Sequence, residues 1–254
     1  MKSPLKDRRF TNVSVSTLKQ LIPRRSSVDC YGTFAAKTEL SLSATGIKVN
    51  VITDKPTILQ FWRCVMADAG PERMCDIIQK NNFKFEPNQY TILQNRLTSF
   101  GDEYYRSCLF FLLNRCSKTG QVSCGEFAPE YWNTLTIDSL RRFRRPPSFN
   151  VYGIPPAIDV PIAKTASDFC LFPTLTFSES FLQNSAPQGY DTYFFRHDSL
   201  RDFLFENKKK TILVYNFHPK LLSFFNDANV YLIDKYANST NDVENYEEAI
   251  VTNF

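Results

Sequence analysis

The sequence has few of the residues that most cofactor and metal chemistry requires. Only 8 of its 254 residues are glycine and only 2 are histidine. A phosphate-binding loop needs several glycines close together, because only glycine lets the backbone come near a ligand. No phosphate loop and no paired-carboxylate pattern is present, and no serine or cysteine has a recognisable base partner. These absences exclude most familiar enzyme classes.

The cysteines form no pattern typical of a crosslink or a metal site. Their number is odd, no two have CxxC spacing, and they are dispersed through apolar segments at positions 30, 64, 75, 108, 116, 124 and 170. Zinc sites and disulfide frameworks both need defined spacings. The sequence therefore predicts reduced, mostly buried thiols and no bound metal.

Long apolar runs are also missing, so no membrane-spanning segment is expected. The opening residues "MKSPLKDRRF" are basic, but no apolar stretch follows them as in a secretory signal. The hydrophobic fraction of 43% and the charged fraction of 22% are typical of a globular protein with a buried core. We expect a cytoplasmic protein with one large α/β domain or two small ones, and no membrane partner.

Positive charge is clustered although the net charge is only +4. Basic clusters stand at 8–10, 24–25, 141–147 and 208–210. Such clusters are usually solvated faces, but they also favour contact with phosphate groups.

The order of the pieces predicts a parallel sheet. Strands at 26–34 and 46–54 alternate with helices, which indicates right-handed βαβ units. Helical segments and a glycine-punctuated loop fill the middle, and the strand–helix alternation then resumes. We expect a core formed by residues 1–81 and 151–254, with a mainly helical subdomain inserted at 82–150.

This order of pieces resembles the Dam-type DNA adenine methyltransferases. "FLLNRCSKTG" with "GEF" (111–127) is similar to that family's hairpin region, and "EEAIVTNF" resembles its closing strand. "VDCYGTFAAKTEL" (28–40) stands in the place of the cofactor loop, and "DFCLFPTLTF" (168–177) in that of the catalytic "DPPY". The resemblance covers about residues 25–254. It implies a Rossmann-like class I methyltransferase sheet with an inserted target-recognition subdomain and S-adenosylmethionine as the cofactor.

The catalytic motif lacks the side chains that would bind and orient the adenine. In the family, an acidic side chain and a proline carbonyl accept hydrogen bonds from the amine of a flipped adenine, and a tyrosine stacks on the base. Here the motif reads Phe172-Pro173-Thr174-Leu175. Each lost interaction, the hydrogen bond and the stacking, costs about 1–3 kcal/mol. Methyl transfer would therefore be about 30- to 10⁴-fold slower.

The cofactor loop is eroded in the same way. Of its glycines only Gly32 remains, and the side chains of Phe34, Ala35 and Ala36 would intrude where the family's backbone approaches the cofactor. Asp54 stands where the family has its ribose-binding acid, but an Asp before Pro56 also suits a helix start, and both interpretations stay open. The N-terminal segment "PLKDRRFTN" has no convincing match to the family's lysine-bearing element. We expect vestigial cofactor positions and no bound cofactor.

DNA contact is the function least clearly lost. Six cations in or beside the inserted subdomain are candidates for phosphate contacts. The alternative, that they only keep an exposed helix soluble, is supported at least as well by the sequence. They are Arg115, Lys118, Arg141, Arg142, Arg144 and Arg145. The last four belong to a basic helix that is expected to start near Asp138 and to stop at Pro146-Pro147.

Neither histidine is predicted to be catalytic. Asp198 or Ser199, after His197, is expected to cap a helix, and His218 before Pro219 is expected to be structural.

Three functional hypotheses are compatible with the sequence. The leading hypothesis is a pseudo-enzyme of phage or other mobile-element origin, kept as a binding or structural module in a protein or protein–DNA assembly of the host cytoplasm or virion. The second is an active but divergent adenine-N6 methyltransferase, and the third is a non-specific DNA-binding protein. The shape of the cleft between Gly32, Asp54 and Phe172 should discriminate the first two.

Overall fold

One mixed sheet organises the part of the chain that the computed structural model describes, residues 2–81, 83, 86–154, 166–177, 189–193 and 195–254. Within these residues the sheet has eight strands. They are β1 (Ser27–Tyr31), β2 (Lys48–Thr53), β3 (Phe149–Gly153), β4 (Phe169–Leu175), β5 (Lys210–Asn216), β6 (Asn229–Ile233), β7 (Ser239–Thr240) and β8 (Glu248–Thr252).

The strand order is β3-β2-β1-β4-β5-β8-β6-β7. The first five strands in this order are parallel to one another, whereas β8 runs antiparallel to both β5 and β6. The order β3-β2-β1-β4-β5 is that of a doubly wound Rossmann-type sheet, which reverses direction between β1 and β4. The insertion of antiparallel β8 completes the predicted class I methyltransferase sheet, and this prediction is confirmed.

Helices cover both faces of the sheet. In the described residues they are α1 (Val15–Leu21), α2 (Lys37–Ser43), α3 (Pro56–Met66), α4 (Gly70–Asn81), α5 (Pro87–Arg96), α6 (Glu103–Arg115), α7 (Thr134–Arg141), α8 (His197–Glu206) and α9 (Leu221–Phe224). None of them is long and apolar enough to cross a membrane.

Two predicted helix starts are wrong. Helix α7 is capped by Asn133, whose side chain accepts the Thr136 N–H at 3.2 Å, and not by Asp138. Helix α8 begins at His197 after Arg196, so Asp198 and Ser199 lie inside its first turn. Both corrections have the same cause: the chain becomes helical earlier than the polar residue chosen as cap, and Asp198 instead supplies negative charge to the first turn.

The core consists of two apolar clusters, one on each face of the sheet. The first joins β1 and β2 to α3 and α6, with Trp62 and Phe111 fully buried. The second joins β4, β5 and β8 to α8 and α9. Helix α6 contributes eight buried residues to the structure, most of them in the first cluster, so the helices of the predicted 82–150 subdomain share the core of the sheet. The proposed division into domains stays a prediction.

Candidate functional site

A cavity of about 430 Å³ lies at the carboxyl edge of the sheet, beside the ends of β1 and β4. This is the point where the strand order reverses, and open α/β sheets bind their ligands there. The volume is within the range of small-molecule sites, about 300–1,000 Å³. The cavity is bordered by the 32–39 loop, the N-terminal segment 7–12, and residues around Pro173 and Tyr193.

The loop after β1 places its glycine at the cavity as predicted. Gly32 has a φ of +78°, a left-handed conformation that favours glycine. An ideal Cβ at this position would lie 2.6 Å from the ring of Phe195, so Gly32 also permits the close packing of that ring. Phe34 borders the cavity but is only 5% exposed and packs on Phe110. Ala35 and Ala36 border the cavity too, and the intrusion of these three side chains on a cofactor stays a prediction.

The N-terminal segment forms a wall of the cavity that the sequence did not predict. Glu248 on β8 is fully buried and accepts three hydrogen bonds from this segment. The donors are the backbone N–H groups of Asn12 at 2.7 Å and Ser14 at 2.9 Å, and the hydroxyl of Thr11 at 3.0 Å. The closing motif "EEAIVTNF" was the available signal, since a carboxylate in a buried strand requires donors.

Ionic groups line the cavity. Asp7 accepts two hydrogen bonds from the guanidinium of Arg9, at 3.0 and 2.8 Å. Lys37 donates to the carbonyl of Asp7, and burial lowers the pKa of its ammonium. Glu39 is 2% exposed and accepts a hydrogen bond from the Thr33 hydroxyl. Burial raises the pKa of the Glu39 carboxyl.

The position of the predicted catalytic motif is closed by aromatic rings. Phe172 is fully buried and stacks on Tyr31, with 5.1 Å between ring centroids. Phe195 meets the same ring edge-on at 5.4 Å, and Phe203 contacts it at 6.1 Å. Of Phe172 and Pro173, the motif residues whose side chains the structure describes, Pro173 borders the cavity.

The rest of the motif supplies the end of the strand. Thr174 and Leu175 complete β4, and their side chains fall outside the described residues.

The end of β2 is also covered. Asp54 is not among the residues that border the cavity, and its nearest cationic partner is Lys55 at 4.0 Å. The residue before helix α3 is Lys55, so the interpretation of Asp54 as the helix cap is wrong. The hydroxyl of Tyr193 bonds to that of Thr53 at the end of the strand. Burial raises the pKa of the Tyr193 phenol.

Residues 189–193, which include the Tyr193 that covers the end of β2, are hydrogen-bonded to the loop after α6. Asp191 is 1% exposed and accepts from the backbone N–H groups of Val122 at 2.6 Å and Ser123 at 3.2 Å. Tyr190 donates its hydroxyl to the carbonyl of Gln94 at 3.1 Å. Hydrogen bonds to the loop after α6 and to helix α5 thus hold this wall of the cavity. Sequence patterns could not have indicated these contacts.

The two histidines have different surroundings. His197 borders the cavity, its Nδ1 lies 3.1 Å from the Tyr215 hydroxyl, and burial lowers the pKa of its ring. His218 accepts the Lys220 N–H on Nδ1 at 3.3 Å, which fits the structural role predicted for it.

The six predicted DNA contacts fall into two groups. Arg115 and Lys118 lie at the end of α6 and just after it, and Lys118 pairs with Glu126 at 3.2 Å. Arg141 ends α7 and contacts Gln79. The predicted extension of this helix to Pro146 is wrong, so Arg144 and Arg145 follow the helix, and they bond to neighbouring groups. Arg142 follows Arg141 directly. DNA contact by these residues stays a prediction.

The thiols are buried as predicted, with Cys124 as the exposed exception. In the part of the chain that the structure describes, no three His, Cys, Asp or Glu side chains come together as metal ligands would.

Comparisons with known proteins give little beyond the fold. No family model matches the sequence, and no curated protein matches it either. Among solved structures, the chain is similar to a TehB-like S-adenosylmethionine-dependent methyltransferase from Corynebacterium glutamicum, with 8% identity and a TM-score of 0.40. The alignment covers 96% of this chain and 86% of the other. At this level of similarity the fold assignment rests on the strand order, not on the superposition.

Proposed function

We propose that the protein is a pseudo-enzyme related to the Dam-type methyltransferases, which has lost methyl transfer and retains a binding cavity on the methyltransferase-like sheet. Its role is to bind, as a module of a larger assembly, and not to modify DNA. The relation to the Dam-type family comes from the sequence resemblance at 28–40, 111–127, 168–177 and 247–254.

The burial of Phe172 is the observation that carries this proposal. An adenine amine needs a hydrogen-bond acceptor at the end of β4, and a phenyl ring offers none. Phe172 is also locked between Tyr31 and Phe195 in the core, so it cannot swing aside without disrupting the packing. A divergent acid in a shifted register would have to displace three rings.

Two features of the cofactor side support the same conclusion. Asp54 is not among the residues that border the cavity, and Tyr193 covers the neighbouring end of β2 through its bond to Thr53. A nucleoside in the position implied by the family resemblance would compete with the ring of Tyr193 for the space at the end of β2. The loss of catalysis and the change at the cofactor position are therefore consistent with each other.

The cavity itself supports a retained binding role. Desolvated ionic groups destabilise a fold unless they are paired or solvated by a ligand. Lys37 and Glu39 lie beside a cavity that is large enough for a small polar molecule. A protein that kept only the architecture of the sheet could fill this space with apolar side chains, as it has done around Phe172.

The test is a methyl-transfer assay with radiolabelled S-adenosylmethionine and adenine-containing single- and double-stranded DNA. We expect no label in DNA above a control without protein. Calorimetric titration with the same cofactor measures binding separately from turnover.

The active methyltransferase is the alternative outcome. Label in DNA that is lost in Glu39→Gln but kept in Arg24→Gln, a change at an exposed arginine outside the cavity loop, would overturn the proposal. Label that persists in both variants and stays with the protein through further purification would also overturn the proposal, whereas activity that separates from the protein would indicate a contaminating enzyme.

A further inference from the structure

The N-terminal wall of the cavity presents a second, outward set of side chains. Asp7 and Arg9 border the cavity. Lys6 and Arg8 alternate with them and lie over the ring of Tyr131, with Nζ of Lys6 at 3.7 Å and Cζ of Arg8 at 4.2 Å from its centroid. Alternation of this kind is expected for an extended segment, because successive side chains point to opposite sides. Two cations therefore share one aromatic ring on the side away from the cavity.

The backbone that carries these cations is firmly held. The side chain of Asn114, fully buried at the end of α6, accepts the N–H of Lys6 and donates to the carbonyl of Lys6, both at 2.8 Å. The N–H of Arg8 donates to the carbonyl of Thr119 at 2.8 Å. Gly120, with a φ of +101°, lets the chain pass close to the Lys6 carbonyl, where any Cβ would clash. The positions of Lys6 and Arg8 are thus set by the fold.

Arg115 adds a third cation, beside the residue that holds the Lys6 backbone and over the ring of Phe111. It follows Asn114 directly and is half-buried, and its Nε is buried without a hydrogen-bond partner in the described chain. Its charge acts on Lys6, as does that of Arg8. A buried guanidinium N–H that has no acceptor lowers the stability of the folded protein, and neighbouring positive charges lower it further. An anion that accepts from this N–H would offset both effects.

Carboxylates do not balance these charges. Within the described residues, none of the three cations forms an ion pair with an acid. The acid that acts on Lys6 is the exposed Glu130, next to Tyr131. Burial, with Arg8 and Arg115, lowers the pKa of Lys6 to about 8. Within the described residues these three cations therefore face one exposed acid, Glu130, and none of them is neutralised by an ion pair.

The end of helix α6 explains only part of this arrangement. Lys6 donates to the carbonyl of Ser117, just beyond the helix, and a cation is favourable there. An ammonium has three N–H groups, so this bond leaves donors for another acceptor. Across the described residues, no such carbonyl accepts a hydrogen bond from the orphaned Nε of Arg115.

We propose that Lys6 and Arg8, which lie over Tyr131, form together with Arg115 at the end of α6 a binding site for a phosphate group, separate from the cavity on the other side of the segment. Guanidinium groups match phosphate geometry, and an ammonium adds a point charge. The ring of Tyr131 positions both N-terminal cations and offers an aromatic face beside the phosphate. The phosphate can be a free anion or one unit of a single-stranded nucleic acid, since both present the same oxygens.

The first experiment measures inorganic phosphate binding by calorimetry to the full chain and to two variants. Arg8→Gln removes one cation of the site and should weaken binding about tenfold, as expected for one charge-assisted hydrogen bond. Arg24→Gln, an exposed arginine outside the site, should bind as the unmodified protein does. Arg115→Gln serves as a second site variant, and urea unfolding shows that each variant is folded.

A second measurement does not depend on substitution. Nitrogen NMR of the Lys6 ammonium should show that phosphate raises its pKa from about 8, since an anion favours the charged form. An unchanged Lys6 titration, or equal phosphate binding by the unmodified protein, Arg8→Gln and Arg24→Gln, would overturn the proposal.

The source of the phosphate is resolved with a ten-nucleotide oligothymidylate. Backbone phosphates predict tight binding with a log–log salt slope of about −2 for three contacts, reduced by about 0.7 in Arg8→Gln. Binding of inorganic phosphate without binding of the oligonucleotide assigns a free anion. Absence of both kinds of binding refutes the site but leaves the proposed loss of methyl transfer untouched, because that is tested at β4.

Discussion

The carboxyl edge of the sheet is divided into an open, polar half and a closed, aromatic half. In the open half, the loop after β1 and the N-terminal segment surround the cavity with Arg9, Lys37 and Glu39. In the closed half, Phe172 covers the end of β4, and Tyr193, which also borders the cavity, covers the end of β2. Both halves belong to the same edge of the sheet, but only the closed half is filled with aromatic side chains.

This difference separates ligand binding from chemistry. If the proposed relation to the Dam-type family holds, the closed half contains the position where a transferred methyl group would meet its acceptor, and apolar packing there is favourable by itself. The open half keeps desolvated charges, which packing alone would not favour. A protein that has lost a reaction but still binds a ligand should show this division.

The largest expected effect comes from opening the closed half. Phe172→Ala should destabilise the protein by about 3–5 kcal/mol, since it removes a fully buried ring from the core. Urea unfolding measures the change. Phe205→Ala, at a ring that is 43% exposed on α8, is the matched control and should cost much less.

A small loss in Phe172→Ala would contradict the comparison. If it cost no more than Phe205→Ala, the ring would not be locked, and the end of β4 would be accessible to a substrate.

The next effect concerns the wall of the open half. Glu248→Gln keeps one acceptor oxygen but replaces the other by an NH₂ donor that faces buried backbone N–H groups. We expect a loss of about 1–3 kcal/mol, as for a buried donor left unsatisfied. Hydrogen exchange should also become faster at the amides of Asn12 and Ser14.

Glu244→Gln, at an exposed loop position, is the control for Glu248→Gln and should change neither stability nor exchange. Unchanged exchange at Asn12 in Glu248→Gln would show that the wall is held by other contacts.

A smaller effect tests the cover on β2. Tyr193→Phe removes only the hydroxyl that bonds to Thr53 and should cost about 1 kcal/mol. Tyr236→Phe, at a residue that is 71% exposed, should be neutral. If both variants were equally stable, the hydrogen bond between Tyr193 and Thr53 would add nothing to stability. A nucleoside could then displace the ring of Tyr193 at little cost in free energy.

The sheet was predictable because its signals are local and strong. Alternating apolar segments after turn residues located β1, β2, β4, β5, β6 and β8, and the 3.6-residue period located α3 and α6. Strand β3 was not assigned, because "SFNVYG" lies between prolines and offers only five residues. Helix α1 was also missed, since it has two buried residues and no side-chain cap.

The site was predictable only in part. Gly32 was placed at the cavity by its position after β1, and its positive φ is the physical reason that glycine remains there. The roles of Glu248 and Asn114 were not predicted, because each bonds to a backbone more than 100 residues away along the chain. Sequence patterns register periodicity and spacing, and they do not register which distant backbone a buried polar side chain will reach.

Glu39 provides the finest test of the open half. Burial raises the pKa of its carboxyl in the folded state above that in the unfolded chain, although the Thr33 hydroxyl works in the opposite direction. Between those two pKa values the folded protein binds more protons, so this carboxyl makes stability fall as the pH rises through that window. Glu39→Gln is neutral throughout and keeps an acceptor for Thr33. Its free energy of unfolding should match that of the unmodified protein below the ordinary Glu pKa and exceed it increasingly above, whereas Glu244→Gln should run parallel to the unmodified protein. Parallel curves for Glu39→Gln would mean that the cavity already solvates the carboxylate, and the open half would then need no ligand to compensate its charge.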